Sequence, residues 1–146
     1  MRSNDLQHMP ARLRGMTLIE ILVVLVLIGV VMGIVGGNFI GQGENAKRKA
    51  AKIEIEQIGQ TLDLYKLEIG RYPTSQEGLQ ALLSAPAGVN NWNGPYWKKD
   101  TLPKDPWGNE YKYASPGQHG AYDIVSLGAD GKEGGDGANK DITSWE

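Results

Sequence analysis

From Ile21 to Gln42 the chain carries no charged residue. No other segment constrains the fold as strongly. About 20 apolar residues are enough for a helix to cross the hydrocarbon core of a bilayer. One carboxylate, Glu20, stands at the mouth of this run, within Arg12-Leu13-Arg14-Gly15-Met16-Thr17-Leu18-Ile19-Glu20. A carboxylate in that setting costs at least about 2–3 kcal/mol and demands a partner. A cut after Gly15 supplies one: Met16 becomes a free amino terminus one helical turn from Glu20, on the same face. The ammonium of one chain can then pair with Glu20 of a neighbour and set the register between subunits.

Arg12 and Arg14 precede the run, so the positive-inside rule puts the amino terminus in the cytoplasm and the rest of the chain in the periplasm. An ordinary secretory signal is the competing reading. The run is too long for its apolar core, Glu20 interrupts its start, and Gly36-Gly37-Asn38-Phe39 is a poor cleavage site. Met9 offers a second possible start that keeps both arginines.

No proline occurs between Pro10 and Pro73. Helix-compatible sequence therefore extends from Thr17 to Ile69, a rod of roughly 80 Å at the α-helical rise. Ile55, Ile58, Leu62, Tyr65 and Ile69 repeat at spacings of three and four, which puts them on one face. Such a stripe suits a coiled-coil seam or a face that docks on a small domain, and the turn-rich, aromatic sequence that follows favours docking. Gly33, Gly36, Gly37, Gly41 and Gly43 weaken the stretch between the run and the stripe. They suit either close helix packing in the membrane or a segment that melts when subunits pack.

Beyond Gly70-Arg71-Tyr72-Pro73, Thr74-Ser75-Gln76-Glu77 has the pattern of a capping box, and a short helix is expected through Leu83. A loop rich in Asn, Gly, Pro and Trp follows from Ala85 to Asp100. Leu102-Pro103-Lys104-Asp105-Pro106-Trp107-Gly108-Asn109 reads as a turn module. Residues 110–113 and 121–127 read as two strands, which predicts a small antiparallel sheet on the long helix. The fold class is thus α+β.

At net charge -2, with Lys47, Arg48, Lys49 and Lys52 interleaved with Glu44, Glu54 and Glu56, nothing points to nucleic acid, and the mixed charges read as a solvated helix face. Catalysis has little support. The histidines are His8 and His119, there is no cysteine, and no serine sits in a nucleophile motif. His119 reads as an exposed turn residue, and the four tryptophans as core or edge packing. There is no phosphate-binding loop.

Leu127 to Asp141 crowds carboxylates and glycines. Asp130, Asp136 and Asp141 can converge there, with Asn139 nearby. Hard oxygen donors of this kind suit Ca²⁺, although the spacing is not that of an EF-hand. From spacing alone, a solvated acidic loop is the stronger reading.

Gly15, the apolar residue after it, Thr17-Leu18-Ile19-Glu20 and the unbroken apolar helix resemble the class III signal of type IV pilins and pseudopilins. Met16 departs from the usual Phe, and Gly37 from the usual proline. Tyr72-Pro73-Thr74 with Gly78-Leu79, the Leu102–Asn109 module with Tyr111 and Tyr113, and Ser126-Leu127-Gly128-Ala129-Asp130-Gly131 resemble one branch, the major pseudopilins of the type II secretion system. The resemblance covers Gly15 to Trp145. It implies a type IV pilin-like fold: a long amino-terminal helix on a small antiparallel sheet, with a carboxy-terminal calcium loop.

For processing, the resemblance implies a leader over residues 1–15, cut between Gly15 and Met16 by a prepilin peptidase, and N-methylation of Met16. It implies a transmembrane and assembly helix over 16–43 and a periplasmic domain over 44–146. In the calcium loop it implies ligands from the Leu127 carbonyl, Asp130, Asp136, Asn139 and Asp141. The chain would polymerise with itself and work with minor pseudopilins, an inner-membrane assembly platform and an outer-membrane secretin, while a cytoplasmic motor consumes ATP. Two other readings stay open here: a type IV or competence pilin, and a membrane-tethered binding or enzymatic domain.

Overall fold

The computed structural model describes residues 17–146, and the side chains of all of these but 37–40. The leader and the Gly15-Met16 bond lie outside the described residues. The described residues fall into two units, one up to Phe39 and one over Ile40–Glu146. Helix α1, Leu18–Ile69, contributes to both. It begins and ends where the sequence predicts, and Gly70, at φ +90°, ends it in a conformation that favours glycine.

In the first unit the side chains of α1 are exposed, from Leu18 at 89% to Val35 at 43%. This is the one helix among the described residues that is long and apolar enough to cross a membrane. The helix remains regular through Gly33, Gly36, Gly41 and Gly43.

In the second unit the predicted stripe becomes the core. Ala51, Ile55, Ile58, Leu62 and Tyr65 are buried, with Leu79, Leu82, Tyr111, Ile124 and Ile142 packed among them. Docking on a domain is thus the use of the stripe. Gly59 lets the helix approach Tyr122: a Cβ there would stand 2.8 Å from the Tyr122 hydroxyl.

The sheet has three antiparallel strands in the order β1 (Lys112–Ala114), β2 (Asp123–Ser126), β3 (Ile142–Thr143). Tyr113 pairs with Ile124, and Ser126 with Ile142. Strand β3 is absent from the sequence expectation. The expected helix through Leu83 is also replaced. Thr74 and Glu77 do form the reciprocal bonds of a capping box, 2.7 and 3.2 Å, but a turn follows, and then a 3-10 helix over Leu79–Leu82. Gly78, at φ +60°, interrupts the run that a continuous helix needs.

The turn module is organised by Asp105, 3% exposed. Its carboxylate accepts from the amides of Trp107 (3.1 Å) and Asn109 (2.8 Å) and from the Ser126 hydroxyl (2.7 Å). Trp107 in turn donates from Nε1 to Glu44 on α1 at 3.0 Å.

Candidate functional site

At the start of α1, Thr17 and Glu20 cap each other. The Thr17 amide donates to Glu20 Oε2 at 3.2 Å, and the Glu20 amide donates to Thr17 Oγ1 at 3.3 Å. This is a capping box. Its signature, Thr-x-x-Glu, is plain in the sequence, but a reading that treats Glu20 only as a carboxylate at a membrane passes over it. The cap fixes the carboxylate beside the first turn, where the helix dipole favours negative charge. Met16, the proposed partner of Glu20, lies outside the described residues.

The acidic loop is built on glycines. Gly128 takes φ +66°, and a Cβ there would meet the carbonyl oxygens of Ala138, Asn139 and Lys140 at 3.0–3.1 Å. Gly135, at φ +88°, lies as closely against the Asn139 carbonyl, 2.7 Å from such a Cβ. Only residues without a side chain let these strands of backbone approach so closely. The Ala129 amide closes the loop on Ala138 O at 3.1 Å.

The candidate ligands fare differently. Leu127 is buried at the loop's base. Asp130, exposed, accepts from the Lys132 amide at 3.1 Å. Asp136 precedes the 3-10 turn Gly137–Asn139 without capping it. Asn139 is exposed within that turn. Asp141 reaches across the loop: its Oδ2 accepts from the Gly134 amide at 3.0 Å, while its Oδ1 is buried with no hydrogen-bond partner. Among the described residues, no three His, Cys, Asp or Glu side chains gather as a metal-binding group. The three aspartates therefore do not converge as a set, and a cation here would draw much of its shell from carbonyl oxygens. The donor set still fits a hard cation, because a buried carboxylate oxygen without a donor is an acceptor in want of positive charge.

A residue that the sequence reading assigned to a solvated face holds this loop to the helix. Arg48 Nη1 donates to the carbonyls of Gly137 (3.2 Å) and Lys140 (2.5 Å), across 89 and 92 residues of sequence. No sequence signal distinguishes Arg48 from its basic neighbours.

His119 is more engaged than a bare turn residue. Its ring stacks on Trp145, with centroids 3.7 Å apart and planes 8° apart, and its Nδ1 lies 3.1 Å from Asp123 Oδ2. Burial works against the charge of Asp123. The amides of Gln118 and His119, together with the imidazole, outweigh it and hold the carboxyl below its ordinary value. Among the described residues, no hydroxyl hydrogen-bonds to the imidazole, so the pair braces the β1–β2 turn without forming a triad. Trp92, Trp97 and Trp107 pack against the core, as expected.

The family description "Type II secretion system (T2SS), protein G" matches residues 38–145, and the prokaryotic N-terminal methylation motif matches residues 11–36. The type II secretion system core protein G of Pseudomonas aeruginosa is 46% identical over 136 residues, covering 90% of this chain and 94% of that one. That of Vibrio cholerae is 44% identical over 134 residues, 90% of each chain. The crystal structure of the major pseudopilin from the type 2 secretion system of enterohaemorrhagic Escherichia coli is similar with a TM-score of 0.63 and 36% identity, over 74% of this chain and 94% of that one. These relatives favour the pseudopilin branch over a surface or competence pilin.

Proposed function

This chain belongs to the type II secretion system protein G family, the major pseudopilins, and on that premise we propose how its parts act in secretion. The subunit is structural rather than enzymatic. It is anchored in the inner membrane by α1 with its amino terminus in the cytoplasm. Copies polymerise into a periplasmic fibre that pushes folded proteins through an outer-membrane secretin. Minor pseudopilins, a prepilin peptidase and an inner-membrane assembly platform are its working partners, and the ATP is spent elsewhere.

The observation that carries this reading is the contrast along α1. Its apolar residues Leu18–Val35 are exposed, whereas Ile55, Ile58, Leu62 and Tyr65 are committed to a core. Exposed apolar surface on that scale is suited first to lipid and then to sister helices. Cleavage between Gly15 and Met16 creates the amino terminus, which is then N-methylated. Its positive charge pairs with Glu20 of the adjoining copy, and the cap from Thr17 holds Glu20 ready for that contact. The glycines of the middle stretch let the helix unwind as copies pack.

For the acidic loop we propose Ca²⁺. The Leu127 carbonyl, Asp130, Asp136, Asn139 and Asp141 would hold it, and the orphaned Asp141 Oδ1 supports the assignment. The ion's charge would draw carboxylates and carbonyls together in a chain with no cysteine to staple them.

The test joins a mass to a mutant. The intact protein from membranes of a secreting host should begin at Met16 and carry one added methyl. Glu20→Ala should still insert and be processed, yet yield few fibres by shearing and electron microscopy. A full-length mass, or wild-type fibre yield from Glu20→Ala, would overturn the processing or the pairing respectively.

A further inference from the structure

Just past the charge-free run, α1 presents a row of polar and basic side chains. Asn45, Arg48, Lys49 and Lys52 recur at spacings of three and four, so they share one face. That face forms one wall of a groove of about 550 Å³, and Thr143 and Glu146 stand on the other. We propose that this groove binds the phosphate of an anionic lipid headgroup at the membrane surface. The inference rests on the anchored reading of α1 and goes beyond it by naming a lipid class and a site.

Electrostatics favours a counter-charge here. Among the described residues Lys49 and Lys52 form no ion pair, whereas Lys47 is held by Glu44 at 3.3 Å. The one acidic side chain lining the groove, that of Glu146, is drawn to Lys140 at 3.5 Å. Like charges three and four residues apart repel along a helix; Glu56, one turn from Lys52, offsets part of that repulsion, and a bound anion would relieve the rest. Arg48 donates from Nη1 to two loop carbonyls, and among the described residues no carboxylate pairs with it. In the opposite wall, the Thr143 hydroxyl is buried without a hydrogen-bond partner.

The position along the helix selects lipid over other anions. Lys49 lies seven residues beyond Gln42, or about 10 Å along the axis. The polar layer of one leaflet is about 5–7 Å deep, and a lysine stem reaches back several ångströms to place its ammonium at the phosphates.

The full chain, purified from membranes, is reconstituted in nanodiscs made of equal parts phosphatidylglycerol and phosphatidylcholine. Native mass spectrometry then counts the lipids each protein retains. The wild-type chain should retain phosphatidylglycerol preferentially. Lys49→Gln with Lys52→Gln should cut that preference by about tenfold or more, since each basic residue near an anionic surface contributes roughly fivefold. Lys98→Gln with Lys99→Gln, a basic pair outside the groove, should leave it unchanged. Equal retention of both lipids by wild type, or equal loss in both double variants, overturns the site. Displacement of the lipid by inorganic phosphate at matching concentration overturns the lipid source, with free phosphate as the ligand. Loss of the protein itself from the discs on alkaline washing overturns the anchoring, and is told apart because protein rather than lipid disappears.

Discussion

Asp105 shows how much a single side chain carries in a domain with no covalent staple. Buried at 3% exposure, it satisfies two part-buried amides and one buried hydroxyl. Replacing it with alanine orphans all three, so Asp105→Ala should lower unfolding stability by about 2–4 kcal/mol, read from urea denaturation. Glu77 gives a prediction in pH. Its hydrogen bonds from the Arg71 guanidinium, 2.6 and 2.7 Å, outweigh burial and, with the Thr74 cap, hold its carboxyl down from an ordinary 4.5 to about 2. A depressed carboxyl stabilises the fold fully above the unfolded value, and that contribution fades as pH falls from about 4.5 towards 2. Urea midpoints of wild type should therefore drop more steeply across that window than those of Glu77→Gln; parallel slopes would remove Glu77 from the account.

At the scale of elements, α1 has a working face and a spare one. Leu62 is fully buried, while Leu67, five residues on, is 82% exposed. Leu62→Ala should cost about 2–5 kcal/mol and Leu67→Ala less than about 0.5, and thermal melts of the two variants separate them at once. The helix and its stripe are legible in sequence because 3.6-residue periodicity persists over many turns. The turn module and the first two strands are legible because Pro, Asp and Gly have local mechanisms. Strand β3 is not: two residues, Ile142-Thr143, carry no period, and only their pairing with β2 defines them. The 3-10 helix misleads for a related reason, since the capping box forms as its pattern predicts and Gly78 then diverts the chain. For the site, Glu20 and the acidic loop stand out by chemistry. The tie from Arg48 does not, because it depends on which basic side chain of several faces a loop some ninety residues away.

For the whole molecule, the acidic loop is where stability should respond to an ion. If calcium occupies it, a ligand present at a hundred times its dissociation constant adds about 2.7 kcal/mol to folding. A chelator should then lower the melting temperature of the processed chain, and added Ca²⁺ should restore it. Asp130→Ala should melt near the chelated wild type and ignore both additions. A melting temperature indifferent to chelator would remove the ion from this fold. The same variant should insert normally into membranes yet assemble poorly, because its loop is loosened.

The ties that close the second unit have a kinetic consequence. Trp107 reaches Glu44 across 63 residues, Tyr111 reaches Glu54 across 57, and Arg48 holds the loop from still farther along the chain. A helix relaxes in about a microsecond or less, whereas contacts between distant parts of a chain form late because loop closure precedes any gain. The helix is therefore expected to form first, with Ile55, Ile58, Leu62 and Tyr65 still facing solvent, and the rest of the domain to dock on it afterwards. Copies held side by side in one membrane would display identical unclaimed stripes during that interval. The hazard for this chain lies in neighbours pairing before each domain has come home, and the pace of delivery to the membrane then matters as much as the stability of the final fold.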